Sequence, residues 1–123
     1  MEKEITKPNN LKECCLALDK LIPAKEIKRI KAFQHYDEMS IYHFSYGLCI
    51  RNNWLNNEEL LKNLGYSIGV FMRDYVSGEI LEYYWFYIHG LITDENESID
   101  DLIANYDKAH PDSFNRFYNK LFL

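Results

Sequence analysis

The stretch YDEMSIYHFSYGLCI, residues 36–50, decides the fold predicted for this chain. Its apolar and aromatic side chains recur at helical spacing, at Tyr36, Met39, Tyr42, His43, Tyr46, Cys49 and Ile50. Residues 41–50 are apolar at nearly every position, a pattern that a buried strand also produces. A run of about 14 residues is long for a strand. The length of the stretch therefore predicts a central helix over residues 37–50, buried on most sides. The polar residues 51–53 close this helix.

Two helices are predicted before this stretch. Asn10 followed by Glu13 is typical of a capping box, and Pro23 ends that first helix because it lacks a backbone N–H. The second helix begins at Pro23 or Ala24 and has only a narrow apolar stripe, so we expect it at the surface. Its lysines and arginine have no interleaved aromatic residues, which indicates a solvated face rather than a phosphate-binding one.

The chain after the central stretch predicts further helices. A short helix is capped by Asn56 and ended by Gly65. Residues 66–75 are predicted to form a loop, with a short strand or a single helical turn as alternatives. A longer helix begins at Ser77. Its core-facing residues are Ile80, Leu81, Tyr84, Ile88 and Leu91, and its outer face carries Glu79, Glu82 and Phe86.

The last part of the chain completes an all-α pattern. Ser98 caps one helix, and apolar spacing predicts a final helix with Phe114, Phe117, Tyr118 and Leu121. The sequence therefore predicts an all-α protein. It forms a single compact domain over residues 1–123, with six to seven helices around the central helix at 37–50.

Length, composition and charge narrow the class of protein. The 123 residues fit one domain, and 15% aromatic residues argue against global disorder. A net charge of −5 argues against general nucleic-acid binding. No apolar run is long enough for a membrane span, and the charged residues 1–4 lead into no signal peptide. We therefore expect a partner that is neither a nucleic acid nor a membrane.

The cysteines indicate a reducing compartment. Cys14, Cys15 and Cys49 are odd in number and two are adjacent, which is not typical of a disulfide framework. We expect a cytoplasmic protein in which these residues are small buried hydrophobes.

No motif for catalysis or metal binding is present in the sequence. The four histidines, at positions 35, 43, 89 and 110, are not at ligand spacing, and no phosphate-binding loop or nucleophile elbow occurs. Glu79 and Glu82 share a helix face, which we interpret as a solvated surface rather than a carboxylate pair for catalysis. The sequence therefore predicts a protein that is not an enzyme and that uses neither a cofactor nor a metal.

Two surface features point to a protein partner. Five carboxylates fall within eight residues, at Asp94, Glu95, Glu97, Asp100 and Asp101. Such a patch suits a basic partner, because complementary charge speeds association, although the cluster by itself is more typical of a solvated loop that aids solubility. Tyrosines are also abundant, and Tyr is enriched at interfaces. Tyr83 and Tyr87 are the candidate anchors.

The segment from His43 to Gly90 resembles a known family. It contains His43-Phe44-x-x-Gly47-x-x-Ile50-Arg51-Asn52-Asn53-Trp54 and, later, Ser77-Gly78-Glu79-Ile80-Leu81. This pattern is similar to H-F-x-x-G-x-x-I-R-N-x-W in a domain-of-unknown-function family of small bacterial proteins. Where that family has His-Pro-Asp-Asp before Ser-Gly, this chain has residues 71–75. The resemblance implies a compact helical domain, similar in size and style to immunity proteins of interbacterial toxins.

The Ile50–Trp54 motif has two interpretations. In the structural one, Arg51 and the asparagines bond carbonyls at a helix end and Trp54 fills the gap to the next helix. In the functional one, His43, Arg51 and Asn52, with Trp54 nearby, form a pocket for an anionic or carbonyl-bearing ligand.

Three functions remain open on the sequence alone. The first is an intracellular immunity or antitoxin-type protein that blocks a basic toxin or effector through the acidic, tyrosine-rich surface. The second is a small ligand-binding protein or enzyme that uses the His43–Arg51–Asn52 pocket. The third is a helical homodimer or a subunit of an assembly.

Overall fold

The computed structural model describes residues 7–66 and 73–111. They form six α-helices and one 3₁₀ helix. The elements in chain order are α1 (Leu11–Leu21), α2 (Ala24–Ala32), the 3₁₀ helix (Tyr36–Tyr42), α3 (Tyr46–Asn53), α4 (Glu58–Asn63), α5 (Arg73–Ile88) and α6 (Ile99–Ala109). This part of the chain contains no strand, and the predicted all-α class is confirmed. None of the helices in it combines the length and apolar character needed to cross a membrane.

The predicted helix starts are largely confirmed by side-chain caps. The Asn10 side chain accepts a hydrogen bond from the Glu13 amide at 2.8 Å, and Ser98 Oγ accepts one from the Asp101 amide at 3.1 Å. Each bond satisfies an amide that has no partner within its own helix. The cap of α4 is one residue later than predicted, since Asn57 accepts from the Glu59 amide at 3.1 Å. Gly65, with φ of +91°, follows α4 in the left-handed conformation.

The prediction of one continuous central helix over residues 37–50 is wrong. That stretch divides into the 3₁₀ helix, a turn at residues 43–45, and α3. The carbonyl of Tyr42, which would accept from Tyr46 in a continuous α-helix, accepts the Ser45 amide at 3.1 Å and the Ser45 hydroxyl at 3.4 Å. Ser45 itself lies at φ −116° and ψ −90°. A serine that bonds the local backbone in this way competes with helix continuation.

The central element is instead α5, which packs against α1, α2, α3 and the 3₁₀ helix. It begins at Arg73 rather than at the predicted Ser77. The prediction of a loop over residues 66–75 is therefore wrong for residues 73–75, which are helical. Residues 67–72 lie outside the described residues. Glu79 and Phe86, predicted to face solvent, are buried, because neighbours enclose α5 on most sides.

An aromatic cluster joins α5 to the 3₁₀ helix and α6. The Phe86 ring stacks on Tyr36, with 5.4 Å between centroids, and meets Tyr106 edge-on at 5.2 Å. Trp85 lies beside it, and its indole donates to the Phe33 carbonyl at 3.1 Å. The rest of the core is formed by buried apolar side chains from α1 to α5 and from the 3₁₀ helix. The predicted final helix, from Phe114 to Leu121, lies outside the described residues.

Candidate functional site

A cleft of about 630 Å³ lies beside the middle of α5. Its walls come from the start of α1, the end of α4 and the segment that leads into α6. Four carboxylates and two lysines line it, at Glu79, Glu95, Glu97, Asp100, Lys12 and Lys62. Acidic groups therefore outnumber basic ones on this concave surface, which favours a cationic ligand.

The fold gathers only part of the predicted acidic cluster in the cleft. Glu95, Glu97 and Asp100 line it, whereas Asp94 and Asp101 do not. The Asp94 carboxylate accepts the Asn96 amide at 2.9 Å, which shapes the turn before α6. Asp101 lies in the first turn of α6, where the helix dipole favours a negative charge.

Glu95 and Glu97 form only weak interactions with neighbouring side chains. Lys12 Nζ lies 3.5 Å from Glu95 Oε2, and both side chains are mostly exposed, so this pair contributes little stability. Glu97 accepts a hydrogen bond from the Asn105 side chain at 2.8 Å. A competing cation can therefore replace Lys12 at Glu95 at small cost.

Glu79 forms the floor of the cleft, and sequence reasoning missed it. Its residue is 6% exposed, and the Tyr66 hydroxyl donates a hydrogen bond to it. Burial raises the pKa of Glu79 above its ordinary value, and the nearby Asp100 carboxyl adds to the increase, while hydrogen bonds from Tyr66 and Tyr75 oppose it. The sequence carried no signal for this role. The spacing of residues on α5 does not show that neighbouring elements will bury the face that carries Glu79.

The two predicted tyrosine anchors are not free surface groups. Tyr83 is 4% exposed, and its side chain lines the cleft wall. Tyr87 is half-buried, and its hydroxyl donates to Asp19 at 2.8 Å, as does that of Tyr84. A smaller cleft of about 270 Å³ adjoins Tyr83 and Tyr87 and shares Lys12 and Glu95 with the larger one. Tyr83 is therefore a buried residue of the cleft wall, and its role as a partner anchor stays a prediction.

The second predicted site centres on Arg51, which is 8% exposed. Its guanidinium donates to Ser77 Oγ at 3.0 Å and to the His43 carbonyl at 3.0 Å. Its Nε lies 3.4 Å from Asp74 Oδ1. Arg51 thereby joins α3, the preceding turn and the first half of α5. Gly47 leaves room for it, because a Cβ there would lie 3.2 Å from Arg51 Nη1.

The four predicted pocket residues differ in their exposure to solvent. Asn52 is exposed and Trp54 is buried, and neither of the two clefts described above is lined by His43, Arg51, Asn52 or Trp54. Asn53, the neighbouring asparagine, donates to the Cys49 carbonyl at 3.0 Å at the end of α3. These contacts favour the structural interpretation of the motif.

The thiols and other potential metal ligands offer no site in the part of the chain that the structure describes. Cys14 and Cys15 are buried, and burial raises the pKa of the Cys14 thiol to about 12. Within residues 7–66 and 73–111, no group of three or more His, Cys, Asp or Glu side chains could hold a metal ion.

One comparison with known proteins gives a match. A family model described as "Domain of unknown function (DUF6794)" matches residues 7–88. No curated protein and no solved structure matches the chain. The matched region supplies α1, α4 and α5 of the large cleft, whereas the wall with Glu95, Glu97 and Asp100 lies beyond it.

Proposed function

The chain belongs to this family of domains of unknown function, and from that premise we propose that it is a non-enzymatic protein-binding domain of the bacterial immunity or antitoxin type. In this proposal a basic segment of a toxin or effector occupies the large cleft and is blocked there. One observation carries the proposal: carboxylates from α5, from the segment before α6 and from α6 itself converge on one concave surface.

The arrangement suits a partner segment with lysine or arginine side chains. Glu95 and Glu97 lie in the segment before α6, where their charge raises the rate of encounter with a basic surface. Glu79 is buried, and Tyr66 and Tyr83 line the same cleft, so an ammonium or guanidinium group there gains both a carboxylate and aromatic contacts. The cleft volume is within the range of sites that hold several side chains.

The proposed compartment is the cytoplasm. Three free cysteines, two of them fully buried, fit a protein that stays in a reducing environment. A partner that arrives from outside the cell, or is made beside this chain, would meet it there.

A charge-reversal experiment tests the proposed cleft. The partner is first captured with the tagged protein from its host at low and high salt and identified by mass spectrometry, and its association rate is then measured with purified proteins. Replacing both Glu95→Lys and Glu97→Lys should slow association by roughly tenfold or more and flatten its salt dependence, because steering by the cleft is lost.

The matched control changes the net charge by the same amount elsewhere. Glu58→Lys with Asp101→Lys alters two residues that line neither cleft. We expect this pair to keep the association rate within about threefold of the unaltered protein. Equal slowing by both pairs would show an effect of total charge only and would contradict a role for the cleft.

One observation favours a second candidate function, self-association. Phe44 is 83% exposed in the turn before α3, and Ile41 of the 3₁₀ helix and Leu48 of α3 are also exposed large hydrophobic residues. Residues 39–50 contain no charged side chain, so this apolar patch can meet a second copy without the repulsion expected of an acidic protein.

Light scattering at micromolar concentration tests the homodimer. If the patch is the interface, the protein has twice the monomer mass and Phe44→Ser restores the monomer mass, whereas Leu16→Ser on α1 leaves the dimer intact. A protein that is strictly monomeric before any substitution rules out a stable homodimer.

A further inference from the structure

The large cleft and the smaller cleft share a border. The walls of the smaller cleft, which has a volume of about 270 Å³, come from α1, the second half of α5 and residues 90–95. Three of its residues, Lys12, Tyr83 and Glu95, also line the large cleft. Because a residue that lines two clefts lies where they meet, the two clefts form one continuous concave surface that these three side chains divide.

The two clefts differ in chemistry beyond this border. The other residues that line the smaller cleft in the described part of the chain are uncharged, and they are Cys15, Tyr87, Gly90, Ile92 and Thr93. The large cleft instead adds the carboxylates of Glu79, Glu97 and Asp100 and the lysine Lys62. The smaller cleft lies below the range of about 300–1,000 Å³ that is typical of sites for whole small molecules, so it fits a single apolar side chain.

The aromatic wall of the smaller cleft is held in place by its neighbours. The Tyr87 hydroxyl donates to Asp19 Oδ2 at 2.8 Å, and the Tyr87 ring stacks on Tyr84 with 5.7 Å between centroids. Tyr84 donates to the other oxygen of Asp19, also at 2.8 Å. Because these contacts fix the wall before anything binds, an apolar side chain that enters the smaller cleft orders few groups of this chain.

The border itself is easily opened. Lys12 Nζ lies 3.5 Å from Glu95 Oε2, and the two side chains are 62% and 66% exposed. Such a pair is weak, and the flexible lysine side chain can turn into solvent when another cation takes its place at Glu95. A basic side chain in the large cleft therefore competes with Lys12 at the point where the smaller cleft begins.

We propose that the smaller cleft is an apolar subsite of the partner-binding surface, and that a basic side chain of the partner displaces Lys12 from Glu95 and places a neighbouring apolar side chain there. The occupant is thus a protein segment that carries a lysine or arginine close to a large apolar residue. This inference rests on the proposed function. Charge complementarity with the large cleft and the continuity of the two clefts support this occupant.

Titration of the isotope-labelled full chain with short peptides, followed by NMR, tests the subsite. The probes are acetylated tripeptide amides of sequence Lys-Gly-Leu, Lys-Gly-Ser and Glu-Gly-Leu, since alternate side chains of an extended peptide lie on the same side. Lys-Gly-Leu should shift the amide signals of Gly90 and Thr93 in the smaller cleft and of Asn63 and Gly65 in the large one. Its Kd should be lower than that of Lys-Gly-Ser by roughly threefold or more, because leucine buries apolar surface, and Glu-Gly-Leu should not bind.

Two lysine variants test the displacement of Lys12. Lys12→Ala removes the competing cation at the border, so it should lower the Kd of Lys-Gly-Leu by roughly threefold. Lys62→Ala is the matched control, because Lys62 is exposed and lines the large cleft but not the smaller one. At about 0.15 M salt, where exposed charges are screened, this control should change the Kd by less than about twofold. An equal effect of both variants, or weaker binding by Lys12→Ala, would contradict the displacement.

The serine peptide separates this inference from the proposed function, because it reports on the large cleft alone. Equal Kd values for Lys-Gly-Leu and Lys-Gly-Ser, or unchanged signals of Gly90 and Thr93, would overturn the apolar subsite and leave the binding of a basic segment standing. Ile92→Ser, at a half-buried position of the smaller cleft, should abolish the preference for leucine and keep the binding of Lys-Gly-Ser. A preference that survives this change would overturn the subsite, and failure of both lysine peptides to bind would overturn the proposed function as well.

Discussion

Replacing Arg51 with alanine should lower the free energy of unfolding by about 2–5 kcal/mol, since each acceptor left without its donor costs about 1–3 kcal/mol. The guanidinium is almost fully buried and bonds Ser77 and the His43 carbonyl while it faces Asp74. Its loss removes the guanidinium donor from the buried Ser77 hydroxyl and from the part-buried His43 carbonyl. Since small domains are stable by roughly 5–15 kcal/mol, a change of this size removes a large share of the total.

Urea denaturation followed by circular dichroism measures this effect. Asn52→Ala, at the exposed neighbouring position, should stay within about 0.5 kcal/mol of the unaltered protein. Arg51→Lys should recover only part of the loss, because an ammonium cannot reproduce the forked contacts of a guanidinium. If Arg51→Ala keeps full stability, the structural interpretation fails, and the pocket of His43, Arg51 and Asn52 becomes the hypothesis to test by thermal-shift ligand screening.

Replacing Phe86 with alanine should also cost about 3–5 kcal/mol. Phe86 is completely buried, and its ring contacts Tyr36 and Tyr106 at the junction of α5, the 3₁₀ helix and α6. Removing the ring loses the favourable free energy of burying its apolar surface. It also leaves a cavity that the rigid aromatic neighbours cannot fill. We expect α6 to be affected most, because Tyr106 loses its edge-on contact.

Phe44→Ala is the matched control for this second prediction. The same side chain is removed, but from a position that is 83% exposed, so unfolding should change by less than about 0.5 kcal/mol. Both variants should be compared at a concentration at which the protein is monomeric. Similar costs for Phe86 and Phe44 would contradict the burial on which this prediction depends.

Only some of the acidic residues of the candidate site could be predicted from the sequence. Glu95, Glu97 and Asp100 stand close together along the chain, so their cluster could be recognised without a structure. Glu79 could not, because it joins them only when α6 packs beside α5. The tyrosines illustrate the same difference, since the abundance of tyrosine is a sequence property, whereas the burial of Tyr83 depends on its neighbours.

Local signals in the sequence determined the helical class and most helix starts. Asn10 and Ser98 act as caps through bonds to amides three residues away, and such short-range chemistry is readable from the residues alone. Tertiary structure decided which helix is central. Residues 37–50 and α5 are both rich in apolar side chains, and periodicity shows that a segment seeks burial but not how many neighbours will surround it. The enclosure of Glu79 depends on the neighbours that surround α5, so only the packed chain determines the cleft and its charge.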